Sequence, residues 1–260
     1  MATADGLHVV EVSGGKLEQL PCCGIMNLAN EGHRSKCAWL ARQLPAGLRA
    51  AILLTGDDHQ CGYIEYLPGE LAWRAIDASG YMFIHCVWTH LRKFQHQGNG
   101  ARLVQRCVND AKKAGMRGVA VLARTNPWLA SSDLFVKCGF EVAGTAPPDY
   151  ELLAKKFRKG VPDPRFLPIP SGRLKEYGPG LTIVRADQCP YTQKFAREIG
   201  ELAETEFGLT ARHVVLQSPE EAQHAPTPYS VFSIVYDGDL LCDHQISKTR
   251  FRNIMRKRAD

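Results

Sequence analysis

The sequence predicts an α/β protein: a mixed central sheet flanked by helices, followed by a second, smaller α/β domain. Three observations carry this. The apolar strand Tyr81 to Trp88 runs into the glycine turn Gln95-His96-Gln97-Gly98-Asn99-Gly100, and helical spacing follows from Ala101 to Ala114. On either side, short strand-like runs alternate with runs at helical spacing, the pattern of a sheet layered with helices. Residues 158–180 then hold five prolines and four glycines among scattered charge, and regular patterning resumes at Leu181. The chain therefore divides into a domain over 1–157, a linker over 158–180 and a domain over 181–260.

Composition narrows the class. With 260 residues, 45% apolar and 23% charged, the chain is long enough for two cores and has the balance of a soluble globular protein. No apolar run reaches membrane-spanning length, and Met1 to Leu7 show no basic-then-apolar leader, so no membrane association and a cytoplasmic setting are expected. The nine cysteines are an odd count scattered through apolar segments, as buried thiols in a reducing compartment would be. A net charge of +5 suits an anionic cofactor and does not by itself imply nucleic acid.

In chain order, His8–Val12 reads as a strand. Cys22-Cys23 lies in a loop, with no second pair at ligand spacing, so no metal is expected. Helical spacing over 34–44 stops before Pro45. Strands follow over 49–54 and 60–66, joined by Gly56-Asp57-Asp58. A loop from Pro68 to Gly80 carries Glu70, Trp73 and Arg74. After the glycine turn and its helix comes a buried strand, Gly118–Ala123. Asn126 is placed to cap a helix with Pro127 in its first position, and Gly139 to end it. Strands over 141–144 and 150–157 close the domain. Beyond the linker the order is strand 181–184, turn Cys189-Pro190-Tyr191-Thr192, helix 194–207, strand 213–216, Thr227-Pro228, strand 231–236, strand 239–242 and a basic helix 248–257.

The turn Gln95 to Gly100 resembles the pyrophosphate loop R/Q-x-x-G-x-G/A of the GCN5-related N-acetyltransferase (GNAT) family. Phe135-Val136-Lys137-Cys138-Gly139-Phe140 resembles that family's second signature, and the element order is the family's order. Cys189-Pro190-Tyr191 after a strand, with Thr227-Pro228 where a cis proline is held, resembles a thioredoxin/glutaredoxin fold. Together the two domains are similar to the YoaP-type branch of the GNAT family, with Trp73-Arg74, Ile84-His85-Cys86 and Gln188-Cys189-Pro190-Tyr191 adding to the likeness. The resemblance implies a GNAT acyl-CoA acyltransferase fold with a thioredoxin-like C-terminal domain, and acyl transfer from acetyl-CoA to an amine.

The chemistry can be set out residue by residue. The first amides of a helix lack partners and carry partial positive charge. The backbone of Gln95, His96, Gln97, Gly98, Asn99, Gly100 and Ala101 is therefore a cradle for a pyrophosphate. By the resemblance, pantetheine pairs like an added strand with Cys86, Val87 and Trp88, a Val87 amide polarises the thioester carbonyl, and Asn126 joins the cofactor contacts. His85 has a suitable pKa for the base, although a hydrogen-bonded core histidine is an equal reading; Glu65 and Glu70 are the alternatives. Trp73 and Arg74 are candidates for the acceptor pocket, Arg74 as a carboxylate anchor. Phe135 stands where the family usually has a tyrosine that protonates the leaving thiolate, so either Ser131, Ser132 or water serves, or the thiolate leaves unprotonated, or the acyl donor is a different one.

The acceptor expected is a small-molecule amine; a homodimer is left open. Two other readings stay in view. In one, the acyl donor is an aminoacyl-tRNA, suggested by Phe135 and the basic tail, though the intact pyrophosphate loop argues against tRNA. In the other, the protein works through a reactive thiol at Cys189. Thr192 stands where a C-x-x-C partner would be, so a dithiol cycle is unavailable there, and a docking or substrate-shaping module is the favoured role for that domain.

Overall fold

The computed structural model describes residues 6–13, 15, 17, 23–25, 27–90, 92–125 and 127–259. They form two compact units. One holds the chain up to Ala72 and Ile76–Phe166; the other holds Trp73–Ala75 and the chain from Leu167 onward.

In the first unit the elements run β1 (His8–Glu11), α1 (Glu31–Gln43), β2 (Arg49–Leu54), β3 (Gln60–Pro68), β4 (Ile76–Asp77), β5 (Tyr81–Thr89), α2 (Asn99–Lys113), β6 (Gly118–Ala123), α3 (Ser132–Lys137), β7 (Glu141–Ala146), β8 (Tyr150–Lys156) and β9 (Arg165–Phe166). Seven strands make one sheet in the order β1-β2-β3-β5-β6-β8-β7, and β4 pairs with β9 separately. Only the central β5–β6 ladder of the large sheet is parallel. A parallel pair needs a crossover, and α2 provides it. Its Leu103, Val104, Cys107, Val108 and Ala111 lie against Ile64, Tyr66, Met82, Ile84 and Val121 of the sheet. The Tyr66 hydroxyl donates to Asp110 of α2 at 2.5 Å. Burial, reinforced by that bond, pushes the phenol far above its usual range.

Side-chain caps explain where the helix boundaries differ from the spacing. α1 starts at Glu31 rather than 34 because Asn30 Oδ1 accepts from the amides of Gly32 (2.9 Å) and His33 (3.4 Å). The helix expected from Asn126 begins instead at Ser132, where Ser131 Oγ accepts from the Asp133 amide; Asn126 itself lies outside the described residues. α3 stops at Gly139, whose φ of +79° lets the Phe140 amide return to the Phe135 carbonyl at 3.0 Å. The proline-rich stretch is divided: residues to Phe166 complete the first unit, where the Tyr81 hydroxyl donates to the Pro162 carbonyl at 2.7 Å.

The second unit contains β10 (Leu181–Arg185), α4 (Thr192–Phe207), β11 (Arg212–Val215), α5 (Pro219–Gln223), β12 (Phe232–Tyr236), β13 (Asp239–Cys242) and α6 (Lys248–Ala259). The sheet order is β11-β10-β12-β13, with β10 and β11 parallel and β12 antiparallel to its neighbours. Ile183, Ile199, Ala203, Phe232, Ile234 and Phe251 are fully buried. The spacing missed α5, although Ser218-Pro219-Glu220-Glu221 is a start signal: Ser218 Oγ accepts from the Glu221 amide at 3.2 Å. One expectation is corrected: the Thr227–Pro228 bond is trans, and the cis bond among the described residues is Pro147–Pro148.

Gly118 opens β6 where a Cβ would stand 2.5 Å from the Lys155 carbonyl and 2.7 Å from the Tyr81 ring. Gly118→Ala is expected to destabilise the protein by about 2 kcal/mol, seen as a lower urea midpoint at unchanged m-value.

Candidate active site

Two departures from a regular ladder shape the centre of the sheet. The first is a β-bulge. Glu65 faces Cys86 and Tyr66 faces Ile84, so His85 is an extra residue in β5. A bulge bends its strand and increases the local twist. The second follows one residue on. β5 pairs with β6 only from Tyr81–Gly118 to Ile84–Val121, yet β5 continues to Thr89 and β6 to Ala123. The strands have parted, and the stretch Cys86–Trp88 turns one backbone edge into the gap. A cavity of about 30 Å³ occupies it, lined by Ile84–Val87, Val121, Leu122, Trp128–Ala130 and Phe135.

At the mouth of the gap the chain reaches α2. Gly98 is its N-cap with φ +80° and offers no side chain to the first-turn amides. Those amides are left for an external anion. A Cβ on Gly100 would press on Leu134 at 3.2 Å, so glycine there keeps the turn close to α3. Asn99 is buried and faces inward, its Nδ2 donating to the Phe94 carbonyl at 3.0 Å. Gln95 Nε2 donates to the Thr89 carbonyl at 3.4 Å, and His96 sits at φ +59°. Gln97 and Gly98 are exposed.

The catalytic candidates separate. His85 is 3% exposed, its ring 5.5 Å from Phe83 and 6.2 Å from Trp39 of α1, and it lines the cavity beside half-buried Cys86. Glu65, opposite Cys86, is fully buried. Its Oε2 accepts from Lys36 Nζ at 2.5 Å and from the Tyr63 hydroxyl at 2.6 Å. Lys36, also fully buried, lies 4.2 Å over the Trp39 ring. Glu70 is not part of this group: its Oε1 accepts from the Gly80 amide at 2.6 Å, tying the loop at the start of β5. That is the far end of the strand from the glycine turn.

Trp73 and Arg74, the candidates for an acceptor pocket, are divided from the catalytic candidates by unit. Both belong to the second unit and are buried there. Arg74 donates to the Trp73 carbonyl at 2.7 Å and to Gln188 Oε1 at 3.3 Å, and stacks 5.1 Å from the Tyr229 ring. A guanidinium so enclosed is part of that unit's packing. Cys189 is half-buried, and Gln245 Nε2 donates to its sulfur at 3.6 Å. Phe135 is fully buried against Phe140, and Ser131 is engaged as the α3 cap.

Lys36, Trp39 and Tyr63 were missed from sequence. The signal was present: His33, Lys36, Cys37, Leu40 and Gln43 share the buried face of α1, so a lysine occupies an apolar-stripe position.

Residues 24–140 match the acetyltransferase (GNAT) family, and 212–253 match the YoaP-like family. The chain is 28% identical to the uncharacterized N-acetyltransferase YoaP of Bacillus subtilis (strain 168), over 95% of this chain and 97% of that protein. Among solved structures, a GNAT family acetyltransferase from Brucella melitensis in complex with acetyl-CoA aligns at TM-score 0.39 and 14% identity, over 62% of this chain and 96% of that one. Spermidine N-acetyltransferase from Vibrio cholerae in complex with CoA and spermine aligns at TM-score 0.42 and 13% identity, over 58% and 95%. None of the described helices is long and apolar enough to cross a membrane.

Removing one partner of the buried pair strands the other's charge. Lys36→Met is expected to cost about 3–5 kcal/mol, measured by denaturant unfolding, and Lys36→Met with Glu65→Leu to recover most of it.

Proposed function

We propose that the protein moves an acetyl group from acetyl-CoA to the amine of a small-molecule acceptor by direct attack. The observation that carries this is the parting of β5 from β6 after Ile84 and Val121 while both strands run on. An amide-rich pantetheine can pair with the backbone edge of Cys86–Trp88 as an added strand. The same strand leads to the uncapped N-terminus of α2, where a pyrophosphate meets the amides from Gly98 to Ala101.

In this reading the amine nitrogen attacks the thioester carbonyl, the carbonyl oxygen draws on the Val87 amide, and the C–S bond breaks to release CoA thiolate. His85, bulged into the gap, takes the proton from the amine. Glu65 is committed to Lys36 and Tyr63 and acts on the field around the site. Phe135 offers no proton, so solvent protonates the thiolate. The gain comes mainly from holding amine and thioester together and from a donor aimed at the developing oxyanion.

For the second unit we infer a thioredoxin-like fold, supported by its strand order β11-β10-β12-β13 and by Cys189 just before α4. Trans geometry at Pro228 and Thr192 in the partner position speak for a non-redox role. The cytoplasm is the compartment we assign, since Cys107 and Cys242 are buried thiols, as a reducing compartment keeps them.

Calorimetry with acetyl-CoA tests the reading. Wild type should bind, and Gly98→Glu, which places a carboxylate at the cradle, should lose at least about tenfold in affinity, or ~1.4 kcal/mol. Absence of binding to folded wild type would sink the proposal. A second check uses thiol chemistry. Cys86 and Cys189, both half-buried, should alkylate ahead of the buried cysteines, with Cys138 slower because burial raises its pKa. Saturating acetyl-CoA should protect Cys86 and leave Cys189 reactive, as read by peptide mass mapping.

A further inference from the structure

The sheet of the second unit ends on a turn that gathers three donor side chains. β13 stops at Cys242, and the chain bends through Asp243 and His244 before α6 begins at Lys248. In an extended chain consecutive side chains alternate in direction. Here the bend brings all three to one side, with a sulfur, a carboxylate oxygen and a ring nitrogen within 4.8 Å of one another. Cys242, Asp243 and His244 are 6%, 8% and 5% exposed.

The geometry at His244 decides between readings. A single nitrogen, Nδ1, faces both neighbours: it is 2.5 Å from Asp243 Oδ1 and 3.7 Å from Cys242 Sγ. A nucleophile–base–orienter relay needs the sulfur and the carboxylate on opposite ring nitrogens, so this is not a catalytic triad. Three unlike donors converging on one point is the arrangement of a coordination site. Tetrahedral zinc with ordinary Zn–S and Zn–N bonds holds those two atoms about 3.5 Å apart, close to the separation present. Only the Asp243 carboxylate would have to swing outward, since it now sits at hydrogen-bond range.

We propose that Cys242, Asp243 and His244 bind one divalent cation of the zinc class, with a fourth position left to solvent. The donor mix supports that class: thiolate and imidazole disfavour magnesium and calcium, and the carboxylate disfavours monovalent copper. The Cys242 thiol now donates to the His244 carbonyl at 3.1 Å; on binding, that proton passes to solvent and the sulfur turns to the metal. The three donors belong to the second unit, and cation binding there does not depend on the acyl-transfer reading. A second thiol is nearby, because Gln245 reaches the Cys189 sulfur. The test must tell the two sulfurs apart.

Full-length protein, stripped of metal with a chelator, is titrated with Co²⁺ and then Zn²⁺. The expected result is one equivalent of Co²⁺, a thiolate-to-cobalt charge-transfer absorption, and loss of that absorption on adding one equivalent of Zn²⁺. Cys242→Ser should abolish the absorption, His244→Gln should weaken Co²⁺ binding by at least about tenfold, and Cys189→Ser should leave both unchanged. X-ray absorption on the wild-type zinc complex, which requires no variant to fold, should show a single sulfur ligand. Failure of the wild type to bind stoichiometrically, a sulfur count other than one, or an absorption that follows Cys189 instead of Cys242 would overturn the proposal.

Discussion

Every backbone amide and carbonyl in a sheet interior must be paired, and at the centre of the first unit's sheet one ladder stops while both of its strands run on. β5 is the middle strand of a seven-stranded sheet, yet beyond Ile84 it has moved off β6. The extra residue at His85 is the local cause: it adds twist on the β3 side and carries the strand away on the other. Much of the surrounding architecture serves to keep this gap open. The crossover helix α2 packs firmly against the paired half of β5 and β6, while the loop after β6, with Trp128 in a left-handed conformation, lines the opened half. An interior strand with an exposed backbone edge is unstable on its own and becomes satisfied when a strand-like ligand fills the place.

The same bulge sets the chemistry beside the gap. It turns His85 and Cys86 toward the α1 face, where the sequence has placed a lysine, a glutamate and a tyrosine in contact under a tryptophan. Burying an ion pair contributes little to stability on balance. This pair stands across from Cys86, and in the proposed reaction it would fix the charge beside the gap. With Glu65 held by two donors, the reaction proposed above assigns proton transfer to the imidazole that lines the cavity.

What could be read from the chain depended on whether the deciding interaction was local. The strand–glycine–helix passage was legible because Gly98 and Gly100 answer to nearby backbone and packing demands. The Gly139 stop was legible for the same reason. The beginning of α3 was misplaced because two polar residues compete for the cap and Ser131 lies nearer the apolar run. Glu70 and Arg74 looked alike in sequence, as charges in one long loop, and tertiary contacts alone show that one clamps Gly80 while the other is enclosed in the second unit. Lys36 was legible in principle, since it interrupts an apolar stripe, but only a partner 29 residues away explains why it is tolerated. The convergence of Cys242, Asp243 and His244 arises from a bend that no periodicity encodes.

The tripeptide Trp73–Ala75 has a consequence for how such a protein could have been assembled. It is encoded between β3 and β5, yet it is counted with the second unit, where Trp73 and Arg74 are buried and the Leu167 amide donates to the Ala75 carbonyl at 3.0 Å. A gene fragment starting after Phe166 would therefore code for a body that lacks three of its own residues, two of them large and buried. The halves are not interchangeable modules joined end to end. Loss, gain or exchange of the C-terminal half in evolution would have to be matched by change in a loop almost a hundred residues upstream, so the two are expected to be inherited together.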